Sequence, residues 1–248
     1  MRRPLNPALW SKAPATAQLF HHDPYATTAA AVVLAVEGHH AIFDRSLFYA
    51  ESGGQVADQG TVDGWRVVDV QKAGGRPYQL PNGEVATIDA VFCHVFEEPC
   101  SLEVGAEVTM EIDWERRFRN MQMHTLAHFL FHATGEYLTA HGQTRSTRGC
   151  HISDSAARFD FGCAIPSEAV PEIQDRVLAL LGSAGEAVVT PLPGAGDVFV
   201  WRSGEIEIPC GGTHVRHPKE IQGGITVRRR TKGKGGTRLY VELDRDAD

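Results

Sequence analysis

The chain has 248 residues, 42% hydrophobic and 22% charged, the proportions of an ordinary globular protein with room for one large domain or two smaller ones. No apolar run approaches the roughly 20 residues of a membrane span, and the N-terminus, broken by Pro4, Pro7 and Pro14, lacks a signal-peptide core, so no membrane partner is expected. A formal net charge of −7 argues against a protein that coats nucleic acid, and five irregularly spaced cysteines (Cys93, Cys100, Cys150, Cys163, Cys210) argue for free thiols in a reducing cytoplasm rather than a disulfide framework.

Residues 1–14 read as a loosely ordered lead-in, and residues 19–107 as β-rich. The run 30–36 is apolar and partly β-branched, with 39–43 as its hairpin partner across Glu37-Gly38. Next comes Ser46-Leu47-Phe48-Tyr49-Ala50-Glu51-Ser52-Gly53-Gly54-Gln55, where adjacent glycines mark a backbone that must come close to something. Residues 65–71 and 85–95 alternate as strands, separated by the turn-rich stretches 73–77 and 81–83. Short strands punctuated by Gly and Pro predict a small barrel or sandwich over residues 1–107.

From Val108 the character changes. A short strand, 108–112, leads to Asp113, which caps a helix running through His124 and His128 to about Leu138, with Gly142 as terminator. Its apolar stripe is Phe118, Leu126, Phe129, Leu130, Ala133 and Tyr137. Strands follow at 150–152 and 157–161, then an amphipathic helix capped by Ser167, then short strands at 187–191, 199–202 and 205–208. A hairpin of 225–230 with 238–243, turning at Gly233-Lys234-Gly235-Gly236, ends the chain. The order is α+β, with residues 108–248 forming the second domain.

The chemistry gathers at four residues. His124 and His128 lie about 40° apart around a helix, on one face. A zinc protease carries Glu directly after the first His; here Thr125 stands there, which disfavours protease chemistry. Cys210-Gly211-Gly212-Thr213-His214 offers a thiolate and an imidazole on a tight loop, and three nitrogens with one sulfur suit Zn2+. Two basic groups, Arg116, Arg117 and Arg119, and Arg228, Arg229, Arg230, Lys232, Lys234 and Arg238, are candidate phosphate contacts on an otherwise acidic chain.

Four motifs in order, Phe48-Tyr49-Ala50-Glu51-Ser52-Gly53-Gly54-Gln55, His124-Thr125-Leu126-Ala127-His128, Arg158-Phe159-Asp160-Phe161 and Cys210-Gly211-Gly212-Thr213-His214-Val215, make the chain resemble the alanyl-tRNA editing proteins of the AlaX type, free-standing relatives of the editing domain of alanyl-tRNA synthetase. The resemblance implies an N-terminal β-barrel carrying the glycine-rich motif and a C-terminal α+β editing domain whose antiparallel sheet packs against long helices. It implies zinc at His124, His128, Cys210 and His214. It also implies hydrolysis of the ester of mischarged alanine tRNA, seryl and secondarily glycyl.

Such an enzyme must reward the serine hydroxyl, because a pocket that admits serine cannot exclude the smaller alanine by size. Gln55 and Ser46 are the candidates for catalytic and substrate contacts, with Thr213 a third; the family usually has Thr at the position of Ser46. Arg228, Arg229, Arg230, Lys232 and Lys234 are the candidate tRNA contacts. A zinc-stabilised RNA-binding module without catalysis, and a zinc hydrolase of small esters, are the alternative readings.

Overall fold

The computed structural model describes residues 5–80, 83, 85–233 and 235–244. The architecture is α+β, with mostly antiparallel sheets and few helices. Two compact units interleave along the chain. Unit 1 takes Met1–Ser52, Ala57–Arg117 and Thr190–Val200; unit 2 takes Gly53–Val56, Phe118–Val189 and Trp201–Asp248. No single cut separates them.

Unit 1 contains β1 (Thr28–Glu37), β2 (His40–Phe43), β3 (Gly60–Val62), β4 (Trp65–Ala73), β5 (Arg76–Gln79), β6 (Val85–Ile88), β7 (Val91–Phe96) and β8 (Glu107–Ile112). Six of these close on themselves in the order β8-β1-β2-β7-β4-β3, and β3 returns to β8 through Met110↔Val62 and Ile112↔Gly60. Strand β8 shows the two-residue period behind this: Val108, Met110 and Ile112 are buried, while Glu107, Thr109 and Glu111 are exposed. Gly60 lies so close to β8 that a β-carbon would stand 2.1 Å from the Glu111 carbonyl oxygen. The interior is aromatic, with Phe20, Phe43, Phe48, Phe92 and Phe96.

The expected hairpin forms, pairing Glu37 with His40. The single strand read over 85–95 is instead β6 and β7, broken at Asp89, whose φ of 56° takes the chain out of the extended region. Part of the turn-rich stretch around 73–77 belongs to β5, which pairs with β6. Leu192, Ala195 and Val198 from the returning segment pack with Ile88, Tyr78, Leu80 and Ala86, which ties residues 190–200 to unit 1. The lead-in holds one helical turn, Pro7–Trp10, because Asn6 Oδ1 accepts from Ala8 N (3.0 Å).

Helix α1 (Trp114–Ala140) runs 27 residues. Asp113 Oδ1 accepts from Arg116 N at its start (3.1 Å). At its end Gln143 N reaches Leu138 O and Gly142 N reaches Thr139 O, with Gly142 at φ +68°, a Schellman stop that the left-handed backbone of glycine permits. Residues 121–130 are all buried, so the middle turns are enclosed on every side and not only along a stripe.

In unit 2, β9 (Thr147–Ile152) and β10 (Ala156–Phe161) precede α2 (Ala169–Ser183). Then come β11 (Ala187–Pro191) and β12 (Phe199–Ser203), whose residues 190–191 and 199–200 count with unit 1, and β13 (Ile206–Pro209), β14 (Ile225–Lys232) and β15 (Gly236–Leu243). Strands β9-β10-β15-β14 form one antiparallel sheet. One face buries Phe159, Phe161, Val227, Leu239 and Val241. Helix α2 covers β14, burying Ile173 and Val177, and Gln174 Oε1 accepts from Val227 N (2.8 Å). Leu178 is exposed, and Ser167 does not cap α2 with its side chain: its backbone carbonyl takes Val170 N while its hydroxyl turns to Glu168. Among the described residues no helix is long and apolar enough to cross a membrane.

Arg117, read above as part of a basic stripe, is fully buried in unit 1. It ion-pairs with Asp58, and its guanidinium also donates to the carbonyls of Leu47 (2.8 Å) and Pro24 (3.0 Å). A guanidinium held by three acceptors is a structural tie rather than a phosphate contact. Removing it strands a buried carboxylate, so Arg117→Met should cost about 3–5 kcal/mol in urea unfolding. A midpoint equal to the wild type would contradict that role.

Candidate metal centre

The middle of α1 presents His124 and His128 with ring centroids 4.9 Å apart and planes at 77°. The β12–β13 hairpin, turning at Gly204 (φ +58°), delivers the loop that begins at Cys210. This loop returns His214 to 4.1 Å from His124 and 4.6 Å from His128, ring to ring. One ligand atom from each of His124, His128, Cys210 and His214 lies within 4.8 Å of every other. Cys210 Sγ is 3.4 Å from both His124 Nε2 and His214 Nε2.

The remaining ring nitrogens set the tautomers. Gln55 Oε1, which can only accept, lies 2.7 Å from His124 Nδ1, so that nitrogen donates. The Thr125 hydroxyl donates to Met121 O (3.0 Å) and therefore accepts from His214 Nδ1 at 3.2 Å. Both Nε2 atoms are left as lone-pair donors facing the thiol, the arrangement that supports a metal ligand from behind. His128 Nδ1 is buried without a hydrogen-bond partner among the described residues, and its ring meets the buried Trp201 edge-on at 4.5 Å. Burial pushes His124 down to about 3 and holds His128 and His214 well below the usual imidazole range. It pushes the Cys210 thiol up to about 12. The site therefore collects three neutral imidazoles and one thiol in a place where a cation would find four donors and no competing charge.

Gln55 reaches this cluster by an unexpected route. Residues 53–56 lie beside β9 as a parallel bridge, Gln55↔Ile152, with Ile152 N donating to Gly54 O (2.7 Å) and Val56 N to Ile152 O (3.0 Å). The tip of the glycine-rich motif thus belongs to the unit that holds the metal ligands and not to the barrel unit. Gly54 (φ +88°) is required there, since a β-carbon would stand 2.4 Å from Cys150 Sγ. Both ends of the Gln55 amide are engaged: Nε2 donates to Thr213 Oγ1 (2.9 Å), and Oε1 also accepts from Thr213 N (3.1 Å). Gly212 has the matching constraint, because its β-carbon would fall 2.2 Å from His124 Cε1 and 2.7 Å from Gln55 Oε1.

Gln55, Thr213 and the four ligands are therefore brought together. Ser46 belongs to unit 1, where it is fully buried, with Oγ 2.8 Å from His94 Nε2 and accepting from Phe48 N (3.1 Å). Sequence reasoning passed over Thr125 and Trp201 as supports; the position of Thr125 between the two histidines was the available signal.

The basic hairpin is less uniform than its sequence. Arg228 pairs with Glu242 (2.8 Å), Lys232 pairs with Asp160 (2.7 Å), and Arg230 lies over Tyr240 with 5.5 Å to the ring centroid. Arg229 turns to the opposite face and donates to Ile165 O, which makes it a brace for the α2 entry. Lys234 lies outside the described residues.

The α+β unit carries a buried nitrogen–sulfur cluster that could hold a metal ion, and comparison narrows the class. No family model matches the chain. It is 31% identical to the alanyl-tRNA editing protein AlaX-M of Pyrococcus horikoshii over 238 residues, covering 92% of this chain and 98% of that protein. It is 39% identical to the alanine–tRNA ligase of Aeropyrum pernix over 51% of this chain but 13% of the ligase, and 32% identical to that of Metallosphaera sedula over 86% of this chain and 24% of the ligase. The chain belongs to the family of AlaX-type alanyl-tRNA editing proteins.

The packing of His124 against Gly212 makes a direct prediction. Gly212→Ala should lower metal affinity by about 10–100-fold in a chelator competition. Unchanged affinity would mean that the loop does not press on the ligand.

Proposed function

We propose that this chain is a trans-editing hydrolase that deacylates alanine tRNA carrying the wrong amino acid, seryl-tRNA(Ala) first and glycyl-tRNA(Ala) second, with Zn2+ held by His124, His128, Cys210 and His214. The observation that carries the reading is the end-to-end similarity to AlaX-M, a protein named for alanyl-tRNA editing. The donor set supports zinc. Bonds of about 2.3 Å to sulfur and about 2.0–2.1 Å to nitrogen, at tetrahedral angles, put sulfur and nitrogen about 3.6 Å apart. Two of the three such separations here, from Cys210 Sγ to His124 Nε2 and to His214 Nε2, are 3.4 Å, and all the ligand atoms lie within 4.8 Å of one another.

When bound, zinc supplies a fixed positive charge that polarises or anchors the aminoacyl end of the substrate. The protein's own residues do the selecting. Thr213 Oγ1 accepts from Gln55 Nε2, and its proton has no acceptor among the described residues, so it is a hydrogen-bond donor for the extra hydroxyl of serine. An alanyl ester leaves that donor unpaired, which penalises it. Gln55 positions both Thr213 and His124, and an amide has no proton to transfer near neutral pH.

Four protein ligands fill a tetrahedral shell, which favours anchoring over water activation and keeps one other reading in play, a zinc-stabilised RNA-binding module. A deacylation assay on seryl-, glycyl- and alanyl-tRNA(Ala) separates them. Serine should be released fastest and alanine slowest, and His124→Ala and Cys210→Ala should lose about 100-fold or more. Binding of seryl-tRNA(Ala) without its turnover would select the module.

Metal uptake should also follow pH with a definite sign. The thiol of Cys210 is held protonated to about 12 and the three rings are already neutral, so only the thiol loses a proton on binding. Apparent zinc affinity should fall about tenfold per unit as pH drops through the neutral range, with one proton released per ion. Calorimetry in buffers of different ionisation enthalpy measures that number, and zero released protons would contradict thiolate ligation.

A further inference from the structure

The motif Arg158-Phe159-Asp160-Phe161 is left unused by the metal centre. On β10 it divides by the two-residue period of a strand: Phe159 and Phe161 face the buried side, and Arg158 and Asp160 face the other. Strand register carries that second face across the sheet. Arg158 stands opposite His151 on β9 and Tyr240 on β15, and Tyr240 stands opposite Arg228 on β14. Asp160 stands opposite Arg238, which stands opposite Arg230.

One face therefore collects Arg158, Arg228, Arg230, Lys232 and Arg238 against two carboxylates, Asp160 and Glu242, on a chain whose formal net charge is −7. Residues distant in sequence produce this patch, and it is wider than the terminal hairpin. Its cations are also held in place. Asp160 accepts from Lys232 Nζ (2.7 Å) and from two nitrogens of Arg238, and Arg158 lies 3.5 Å away. Tyr240 sits among the guanidiniums, with Arg230 and Arg238 at 5.5 and 5.9 Å from its ring centroid. Arg228, Arg230 and Lys232 are exposed, whereas Arg229 alternates to the other side.

We infer that this outward sheet face, with Arg158, Arg228, Arg230, Lys232 and Arg238 around Tyr240, is the docking surface for RNA, and within the proposed reaction it holds the body of the tRNA. Charge complementarity selects a polyanion. A partly exposed ring among guanidiniums selects one with planar bases, which stack on tyrosine. Among the described residues, the outward positions of the paired strands 156–161 and 237–242 carry Arg158, Asp160, Arg238, Tyr240 and Glu242, with Ala156 the one aliphatic side chain among them. Cations already fixed by Asp160 lose less side-chain freedom on binding than free ones would.

The test is equilibrium binding of unacylated alanine tRNA to the full chain at a series of salt concentrations. Arg158→Gln with Arg230→Gln should weaken binding about tenfold and lower the slope of log affinity against log salt by about two. Tyr240→Leu should weaken binding several-fold at an unchanged slope, with Tyr240→Phe restoring it. Arg76→Gln, at an exposed ion pair in unit 1, should change neither. If the double variant melts early, Arg230→Gln alone should lower the slope by about one.

Wild-type affinity and slope in folded Arg158/Arg230 and Tyr240→Leu variants overturn the inference. Binding to vesicles of anionic phospholipid without binding to tRNA overturns it as well. The inference rests on the tRNA-editing reading, yet the two fail differently. Intact deacylation by variants that bind like wild type sinks the surface and spares the enzyme, whereas salt-sensitive tRNA binding lost in the variants, from a protein that never deacylates, does the reverse.

Discussion

Four uncharged donor groups held at one buried point are the constraint on which unit 2 depends. Imidazole and thiol are costly to bury unless each polar atom is used, and burial drives all four to their neutral forms. The protein uses two of the rings fully by giving each a hydrogen-bond acceptor behind it, Gln55 for His124 and Thr125 for His214. What remains faces inward, where the four donors could hold a cation. Among the described residues, His128 Nδ1 has no hydrogen-bond partner.

That arrangement dictates backbone elsewhere. His124 and Gln55 press against the loop at Gly212, and Gln55 arrives only because Gly54 passes beside Cys150 with no side chain of its own. Helix α1 is enclosed through its middle turns, with Trp201 of β12 packed against His128 and Phe129 and with Gln122 donating to Glu220 O (2.9 Å). The four-stranded sheet then divides its labour by face. Its aromatic side closes the core, and on its cationic side Glu242 pairs with Arg228 while Asp160 gathers Lys232 and Arg238 and is held below the usual carboxyl range first by its hydrogen bonds to Arg238.

Local signals were legible in the sequence. The extent of α1, its Asp113 start and Gly142 stop, the alternation of β8, and the pairing of the Cys210 loop with the two histidines all follow from patterns of a few residues and from ligand chemistry. Long-range pairing was not. Nothing near residue 55 announces a partner at Ile152, and the arginine run 116–119 does not reveal that Arg117 is buried against Asp58. The same limit applies to the basic hairpin, where strand alternation alone could assign Arg229 a side, while the identity of its acceptor, Ile165 O, depends on how α2 enters. The family resemblance pointed to the same four candidate ligands; it did not indicate that Gln55 is hydrogen-bonded to both His124 and Thr213.

The central claim is that one thiolate and three imidazoles share an ion in this fold. X-ray absorption at the zinc edge of the metal-loaded full chain tests it most directly. The account predicts four-coordinate zinc with one sulfur at about 2.3 Å and three imidazole nitrogens at about 2.0–2.1 Å. A shell without sulfur, or one dominated by oxygen, would contradict it.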